Sequence, residues 1–232
     1  HSFIPGNSPK IKDTSGRHGR ALNLPGGGVY ASSEFPGIGK SLPRTIALWV
    51  RFPSKQSTPA EKSPYIPGLV GWGNPSIRHE HWRVGINDRF PTKNMVTFWG
   101  YEYSNTPIED AKLITDGEWH HLTFVFSGNY DDAGHPVIRH YFDGKPQSKI
   151  VHSTLHTRIN TDITSAYAQT LRLGPDARDN SEDNTFSGLI DELYIFRGAL
   201  TDAQVLNLMK TNQYVRAPQF QVPATDLSHP SK

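Results

Sequence analysis

Three apolar segments in the second half of the chain constrain the fold most. Residues 116–126 and 138–145 are apolar stretches that each carry an Asp-Gly pair. Residues 188–201 are a third apolar stretch, which ends in a threonine. Apolar positions that alternate with polar ones are typical of β-strands, and Asp-Gly pairs favour the tight turns that join antiparallel strands. The chain is therefore predicted to consist mainly of antiparallel strands.

Length and composition agree with a single all-β domain. The chain has 232 residues, of which 35% are hydrophobic and 11% aromatic, so it contains enough apolar material for one core. Its 20 glycines and 18 prolines supply many chain reversals, which a helix bundle would not need. Because β-sandwiches of this length are commonly one domain, we predict one sandwich.

Charge and cysteine content exclude several classes of function. The 24 basic and 22 acidic side chains are interspersed and give a net charge of +2, so no nucleic-acid partner is predicted. The absence of cysteine excludes disulfides, thiolate catalysis and Cys-ligated zinc. No apolar run approaches the roughly 20 residues that span a bilayer, so no membrane span is predicted.

Three regions are predicted along the chain. Residues 1–20 form an irregular lead-in, residues 21–210 form the sandwich, and residues 211–232 form an extended or disordered tail. Thr201 and Gln204 have the spacing of a capping box, in which each residue satisfies the exposed backbone N–H of the other. One short helix is predicted to begin there.

These motifs resemble those of the laminin-G-like family, in the concanavalin A-like lectin and glucanase superfamily. The resemblance covers roughly residues 11–209 and rests on the segments 118–121, 142–144 and 190–201. It implies an all-β fold, a two-sheet antiparallel jelly-roll sandwich with a short C-terminal helix. It also implies a module of an exported protein that is extracellular, periplasmic or at the cell surface.

The resemblance raises the question of calcium. Many family members bind a structural Ca2+ through an aspartate after the first strand and an acidic residue of the closing strand. Here Pro25 stands where the first aspartate is common, whereas Asp191 of the closing strand is present. Calcium takes six to eight oxygen ligands, and the loss of one weakens a site without necessarily abolishing it. A structural Ca2+ at Asp191 is left open as an expectation, and no other cofactor is predicted.

A group of aromatic and polar residues is the predicted ligand surface. Sugar rings present flat C–H faces to aromatic rings and hydroxyls to planar polar groups. Core packing is the alternative for each ring, because sandwiches bury large aromatic residues between their sheets. The predicted carbohydrate-binding residues are Trp72, Asn74, Trp82, Arg83, Trp99, Tyr101 and Tyr103, with Glu102 and Asn105 as further polar partners.

Two histidine clusters are further candidates. His79 and His81 share one face of a strand, whereas His120 and His121 lie on opposite faces. A metal site needs a third and a fourth ligand, and spacing supplies none for either cluster. Structural or solvated roles are predicted for both.

No catalytic pair can be assembled from the sequence. Retaining glycosidases hold two carboxylates about 5 Å apart. On a strand this requires alternate residues, whereas Asp191 and Glu192 are adjacent and face opposite sides. We predict a non-catalytic carbohydrate-binding module. The alternatives are a protein-interaction or adhesion module of a larger cell-envelope protein and a polysaccharide-acting enzyme.

Overall fold

The computed structural model describes residues 4–5, 12–53, 68–77, 79–87, 94–100, 102–108, 114, 116–147, 151–152, 158–174 and 186–214. Within these residues the strands are β1 (Ile4–Pro5), β2 (Lys12–Ser15), β3 (Arg20–Pro25), β4 (Ala31–Ser32), β5 (Arg44–Arg51), β6 (Gly68–Gly73), β7 (His81–Asn87), β8 (Asn94–Trp99), β9 (Glu102–Pro107), β10 (Trp119–Tyr130), β11 (Pro136–Phe142), β12 (Lys145–Pro146), β13 (Val151–His152), β14 (Gln169–Leu173) and β15 (Ser187–Phe196). The helix is α1 (Asp202–Thr211).

The strands form two antiparallel sheets. One has eight strands in the order β1-β4-β14-β6-β7-β8-β9-β13, and the other has seven in the order β12-β11-β10-β5-β15-β3-β2. The prediction of a two-sheet antiparallel sandwich is confirmed.

The core lies between the two sheets because alternate residues of the central strands face inward. In β5, Ile46, Leu48 and Val50 are fully buried in this core. Ala47 faces the other side of the seven-stranded sheet and packs in a second apolar cluster with Val205 of α1. The alternation read from the sequence thus separates the two faces of the strand.

The predicted helix is confirmed together with its cap. The Thr201 side chain accepts a hydrogen bond from the Gln204 backbone N–H at 3.3 Å, and the Thr201 backbone N–H donates to Gln204 Oε1 at 2.9 Å. In the part of the chain that the structure describes, no helix is long and apolar enough to cross a membrane.

The lead-in differs from the sequence prediction, because it contains strands β1 and β2. β2 lies in the predicted irregular lead-in and pairs with β3 across a turn closed by the Gly16 backbone N–H and the Gly19 carbonyl at 3.0 Å. All four β2 residues are polar and exposed, so the segment lacks the alternation of apolar and polar residues that predicts a strand.

A hairpin follows β8. This strand ends at Trp99, Gly100 has a φ of 79°, and the chain returns as β9 with Glu102 opposite Trp99. This positive φ lies in the region that glycine adopts without steric cost. The reversal decides on which side of the sheet the following residues lie.

Candidate ligand-binding site

A cleft with a volume of about 490 Å³ opens at one end of the sandwich. We call it the end cleft, and define it by residues 38–40, Leu42, Glu80, residues 160–164 and Arg197. These segments precede β5, β7 and β14 or follow β15, and in the antiparallel sheets those strand ends all lie at the same end of the molecule.

Backbone hydrogen bonds fix the walls of the end cleft. The Lys40 N–H donates to the Thr161 carbonyl at 2.6 Å, and the Thr161 N–H donates back at 3.3 Å. On the other side of the same segment, the Asp162 N–H donates to the Glu80 carbonyl at 2.9 Å. Residues 160–162 are therefore held between Lys40 and Glu80.

The lining combines charged side chains of both signs with apolar side chains. Glu80 and Asp162 supply two carboxylates, and Lys40 and Arg197 supply two cations. The apolar part of the lining consists of Ile38, Leu42 and Ile163. Such a lining can accept and donate hydrogen bonds while it contacts an aliphatic surface, which suits an amphipathic polar ligand.

Asp162 is held in its ionised form. Its Oδ1 accepts hydrogen bonds from the Thr164 backbone N–H at 2.9 Å and from the Ser165 backbone N–H at 3.1 Å. Hydrogen bonds from Ser165 and Thr164 lower the pKa of Asp162 to about 2. Asp162 is therefore an acceptor throughout the neutral pH range.

Arg44 supports the end cleft from the interior. This side chain is fully buried, and its guanidinium donates to the Leu42 carbonyl at 2.9 Å, to Thr161 Oγ1 at 2.9 Å and to the Lys40 carbonyl at 2.6 Å. Its central carbon lies 4.8 Å from the Trp82 ring centroid. Burial lowers the pKa of Arg44 to about 9. Arg44 thus ties two cleft segments to the core.

Two residues of the predicted ligand surface also act from behind the cleft. The Trp72 indole N–H donates to the carbonyl of Ile38 at 3.1 Å. Asn74 is buried, and its Nδ2 donates to Glu80 Oε2 at 3.0 Å. Both residues position a cleft wall, and neither lines the cleft.

The structure corrects the predicted placement of the three tryptophans. Trp72, Trp82 and Trp99 are each at most 2% exposed and belong to the core between the sheets. Trp72 pairs with Trp82 across β6 and β7, and the Trp82 ring lies 5.8 Å from the ring of Phe126 in the opposite sheet. The register of these strands points the indoles inward, where a sugar cannot stack on them.

Arg83 and Tyr103 lie on the outer side of the eight-stranded sheet. Phe98 pairs with both residues from the strand between them, and the Arg83 guanidinium carbon lies 4.2 Å from the Phe98 ring centroid. Arg83 is only 2% exposed, whereas Tyr103 is 37% exposed. Of this pair, Tyr103 is the accessible member. The predicted Tyr101 lies outside the described residues.

The predicted calcium ligand Asp191 fastens a turn of the lead-in. Its Oδ2 accepts a hydrogen bond from the His18 backbone N–H at 2.8 Å, and its Oδ1 accepts one from the Glu192 backbone N–H at 2.9 Å. The described residues hold no group of three or more His, Asp or Glu side chains that could bind a metal ion.

His120 lies between two carboxylates at the start of β10. Its Nδ1 lies 2.9 Å from Asp143 Oδ2, and its Nε2 lies 3.2 Å from Asp116 Oδ1. Burial by itself would lower the pKa of His120, but the hydrogen bonds and charges of Asp143 and Asp116 outweigh it and raise the pKa. Asp143 also accepts a hydrogen bond from the His121 backbone N–H at 2.8 Å. This cluster therefore links the start of β10 to the turn that follows β11.

A family model described as the concanavalin A-like lectin/glucanases superfamily, of the laminin G type, matches residues 25–206. The chain belongs to this superfamily. Its two sheets and closing helix are thus those of a laminin-G-like domain. A comparison with curated proteins finds no match.

Solved structures share the fold of this laminin-G-like domain at low identity. The Ruminococcus gnavus IT-sialidase CBM40, solved with α2,3-sialyllactose, has a TM-score of 0.53 at 11% identity, covering 82% of this chain and 96% of that one. A heptameric SAP-like pentraxin from Limulus polyphemus has a TM-score of 0.52 at 16% identity, covering 89% and 80%.

The binding domain of Paraclostridial Mosquitocidal Protein 1 has a TM-score of 0.52 at 12% identity, covering 91% of this chain. The chain spans only 47% of that domain. These likenesses show the fold, and two of the three proteins are described as binding domains or solved with a sugar ligand.

Sequence reasoning missed most of the end cleft. Lys40, Leu42 and Arg197 lie on connections that are far apart in the sequence, and no local motif marks them. Asp162 carried one usable signal, because an Asp two or three positions before Thr and Ser is typical of a turn in which the carboxylate accepts hydrogen bonds from backbone N–H groups.

Proposed function

We propose that this laminin-G-like domain is a carbohydrate-binding module of an exported protein and that the end cleft is its binding site. The observation that carries the proposal is a cleft of about 490 Å³ whose lining combines apolar side chains with charged hydrogen-bond acceptors and donors. Pockets for small ligands typically measure about 300–1,000 Å³ and have this composition.

The charge balance of the end cleft favours a neutral sugar. Lys40 and Arg197 offset Glu80 and Asp162, so the lining has no net charge when all four side chains are ionised. A neutral pyranose offers hydroxyls to the carboxylates and the cations, and its C–H groups can contact Ile163.

The likeness to a sugar-bound CBM40 supports this proposal through the fold. Membership of a superfamily named for lectins and glucanases supports it in the same way. Location outside the cell, in the periplasm or at the cell surface is part of the same proposal.

Glycan-array screening followed by titration calorimetry of the retained saccharide tests the proposal. Glu80→Gln and Arg197→Ala should each weaken binding, because each removes a charged group of the lining. Glu118→Ala is the matched control, since Glu118 precedes β10 at the end that pairs with Arg51, at the opposite end of β5 from the cleft. This variant should bind as tightly as the unmodified protein.

Tyr103→Ala separates the two surfaces. If the end cleft is the site, this variant keeps full affinity, because Tyr103 lies on the outer face of the eight-stranded sheet. Loss of binding in Tyr103→Ala with full binding in Glu80→Gln would move the site to that outer face. Absence of binding to every saccharide of the array would remove the proposal.

Catalysis is a separate outcome. A glycosidase needs one carboxyl group with a raised pKa as its general acid. The pKa of Asp162 moves the other way, so Asp162 does not suit this role, and we propose a non-catalytic module. Release of reducing sugar from any polysaccharide, lost in Glu80→Gln, would overturn this part of the proposal.

A protein-interaction or adhesion module of a larger cell-envelope protein is the alternative proposal. In that case, a protein partner from the native envelope would bind to the domain with unchanged affinity in the presence of saturating saccharide.

A further inference from the structure

Exposed apolar side chains are concentrated on the segments that build the end cleft. Among the described residues, the most exposed large hydrophobic side chains are Tyr167 at 73%, Leu42 at 52% and Ile77 at 49%. Leu42 lines the cleft, and Ile77 lies in the turn that leads into Glu80. Tyr167 follows the cleft residue Thr164 by three positions. All three side chains therefore lie on or beside the connections that form the cleft.

The backbone that carries Tyr167 is fixed. The Ala168 N–H donates to the Ser165 carbonyl at 3.0 Å. This turn directly follows Thr164 and Ser165, whose backbone N–H groups donate to Asp162 Oδ1. Three residues of chain span at most about 11 Å, so the Tyr167 backbone lies within that distance of Thr164. A hydrogen-bonded turn thus holds the Tyr167 backbone close to the cleft residue Thr164.

The fold itself gains little from this ring. Among the described residues, no ring contact or hydrogen bond to the Tyr167 side chain is found. An aromatic ring with this exposure contributes little to the core and is available for contact with a ligand. A tyrosine in this position offers a flat apolar face together with a hydroxyl, which suits a sugar ring.

We propose that Tyr167 forms a second subsite beside the end cleft, and that the module recognises a linear oligosaccharide rather than a single sugar. One sugar unit occupies the cleft, and the next unit stacks on the Tyr167 ring. This inference rests on the proposed function and adds the class of ligand, a neutral chain of linked pyranoses.

The test is a chain-length series measured by titration calorimetry. The probes are glucose, galactose, mannose and N-acetylglucosamine, each as the monosaccharide and as its linear disaccharide and trisaccharide. For the unmodified protein we expect the disaccharide of the recognised sugar to bind about five- to tenfold more tightly than the monosaccharide, the gain that one stacked ring provides.

Variants at Tyr167 test whether this gain in affinity comes from the Tyr167 ring. Tyr167→Ala should remove the gain with chain length and leave the affinity for the monosaccharide unchanged, whereas Tyr167→Phe should keep the gain because the stacking face remains. Tyr103→Ala is the matched control, since it removes another exposed tyrosine on a different face, and it should behave as the unmodified protein. With 73% of its surface exposed, Tyr167 can be replaced without loss of the fold.

The outcomes separate the two proposals. Monosaccharide binding without a gain for longer chains, or a gain that survives Tyr167→Ala, overturns the second subsite and leaves the proposed function intact. No binding in any of the four series, together with no binding to any saccharide of the glycan array, overturns both. A purified envelope protein that binds the domain and loses affinity in Tyr167→Ala would assign this ring to a protein interface and also overturn the second subsite.

Discussion

The indole N–H of Trp72 donates a hydrogen bond to the carbonyl of Ile38 at 3.1 Å. Trp72 was predicted from the sequence to contact a ligand, and Ile38 lines the end cleft. The tryptophan therefore acts on the candidate site through the backbone of another residue. Arg44 acts in the same way through the carbonyls of Leu42 and Lys40, whereas Asn74 donates to the side-chain carboxylate of Glu80.

This arrangement predicts different effects for two predicted ligand residues. Trp72→Ala should lower the free energy of unfolding by about 3–5 kcal/mol, because it leaves a large cavity in the core. Tyr103→Ala should change it by less than about 1 kcal/mol, since Tyr103 is partly exposed. Urea unfolding of both variants measures the difference, and equal losses would contradict the inward placement of Trp72.

Arg44→Lys should weaken both the fold and ligand binding. A lysine keeps the charge but cannot donate in several fixed directions, so at least one of the acceptors on Leu42, Thr161 or Lys40 loses its hydrogen bond. We expect a loss of about 1.5–3 kcal/mol in unfolding free energy, the value of a hydrogen bond to a charged group. Calorimetry should show weaker saccharide binding.

Arg139→Lys is the control for this change. Arg139 donates to the Leu200 carbonyl at 2.6 Å on the side of the seven-stranded sheet that α1 covers. It should therefore lower stability without an effect on saccharide affinity. Equal losses of affinity in both variants would show that Arg44 acts through general stability alone.

Glu102→Met should stabilise the protein. Glu102 is fully buried on the inner side of β9, and neither of its carboxylate oxygens has a hydrogen-bond partner in the described part of the chain. An apolar side chain of similar length removes the cost of this unpartnered group, about 1–3 kcal/mol or more. Denaturant unfolding should show the gain. The exposed Glu118→Met is the control and should change stability little.

His120 should make stability depend on pH. Its pKa is raised in the folded state, so its contribution is fully present below the unfolded pKa of about 6.5 and is lost as pH rises through the higher folded value. His121 acts in the opposite direction, because burial lowers its pKa to about 4 and stability is lost as pH falls from about 6.5 towards that value.

A difference measurement isolates the first effect. Unfolding free energies of the unmodified protein and of His120→Gln are compared at about pH 6 and about pH 8, the range in which histidine titrates. The advantage of the unmodified protein should be larger at the lower pH. An advantage that grows with pH would contradict the role of Asp116 and Asp143 as partners of a protonated His120.

Calcium should have no effect on the melting temperature of the unmodified protein. Both carboxylate oxygens of Asp191 already accept backbone hydrogen bonds, and Asp191→Asn should therefore lower stability equally with and without calcium. A bound ion at about 100 times its Kd would instead add about 2.7 kcal/mol. A calcium-dependent rise in melting temperature that Asp191→Asn abolishes would establish the structural Ca2+ expected from the family.

The sequence by itself determined the central strands, the helix and the family. Alternation in β5 and the Thr201–Gln204 cap are local patterns, because a strand period and a capping box are both set by neighbouring residues. The sequence shows which strands carry large aromatic residues, but it does not determine which side of a sheet each ring faces.

The tertiary structure alone decided the faces and the candidate site. The hairpin at Gly100 and the register of β6 with β7 turned Trp72, Trp82 and Trp99 inward, since a change of one position reverses every side chain of a strand. The end cleft joins segments from residue 38 to residue 197, and it exists because antiparallel strand ends meet at one end of the sandwich. Long-range pairing of this kind is not encoded in any local pattern of residues.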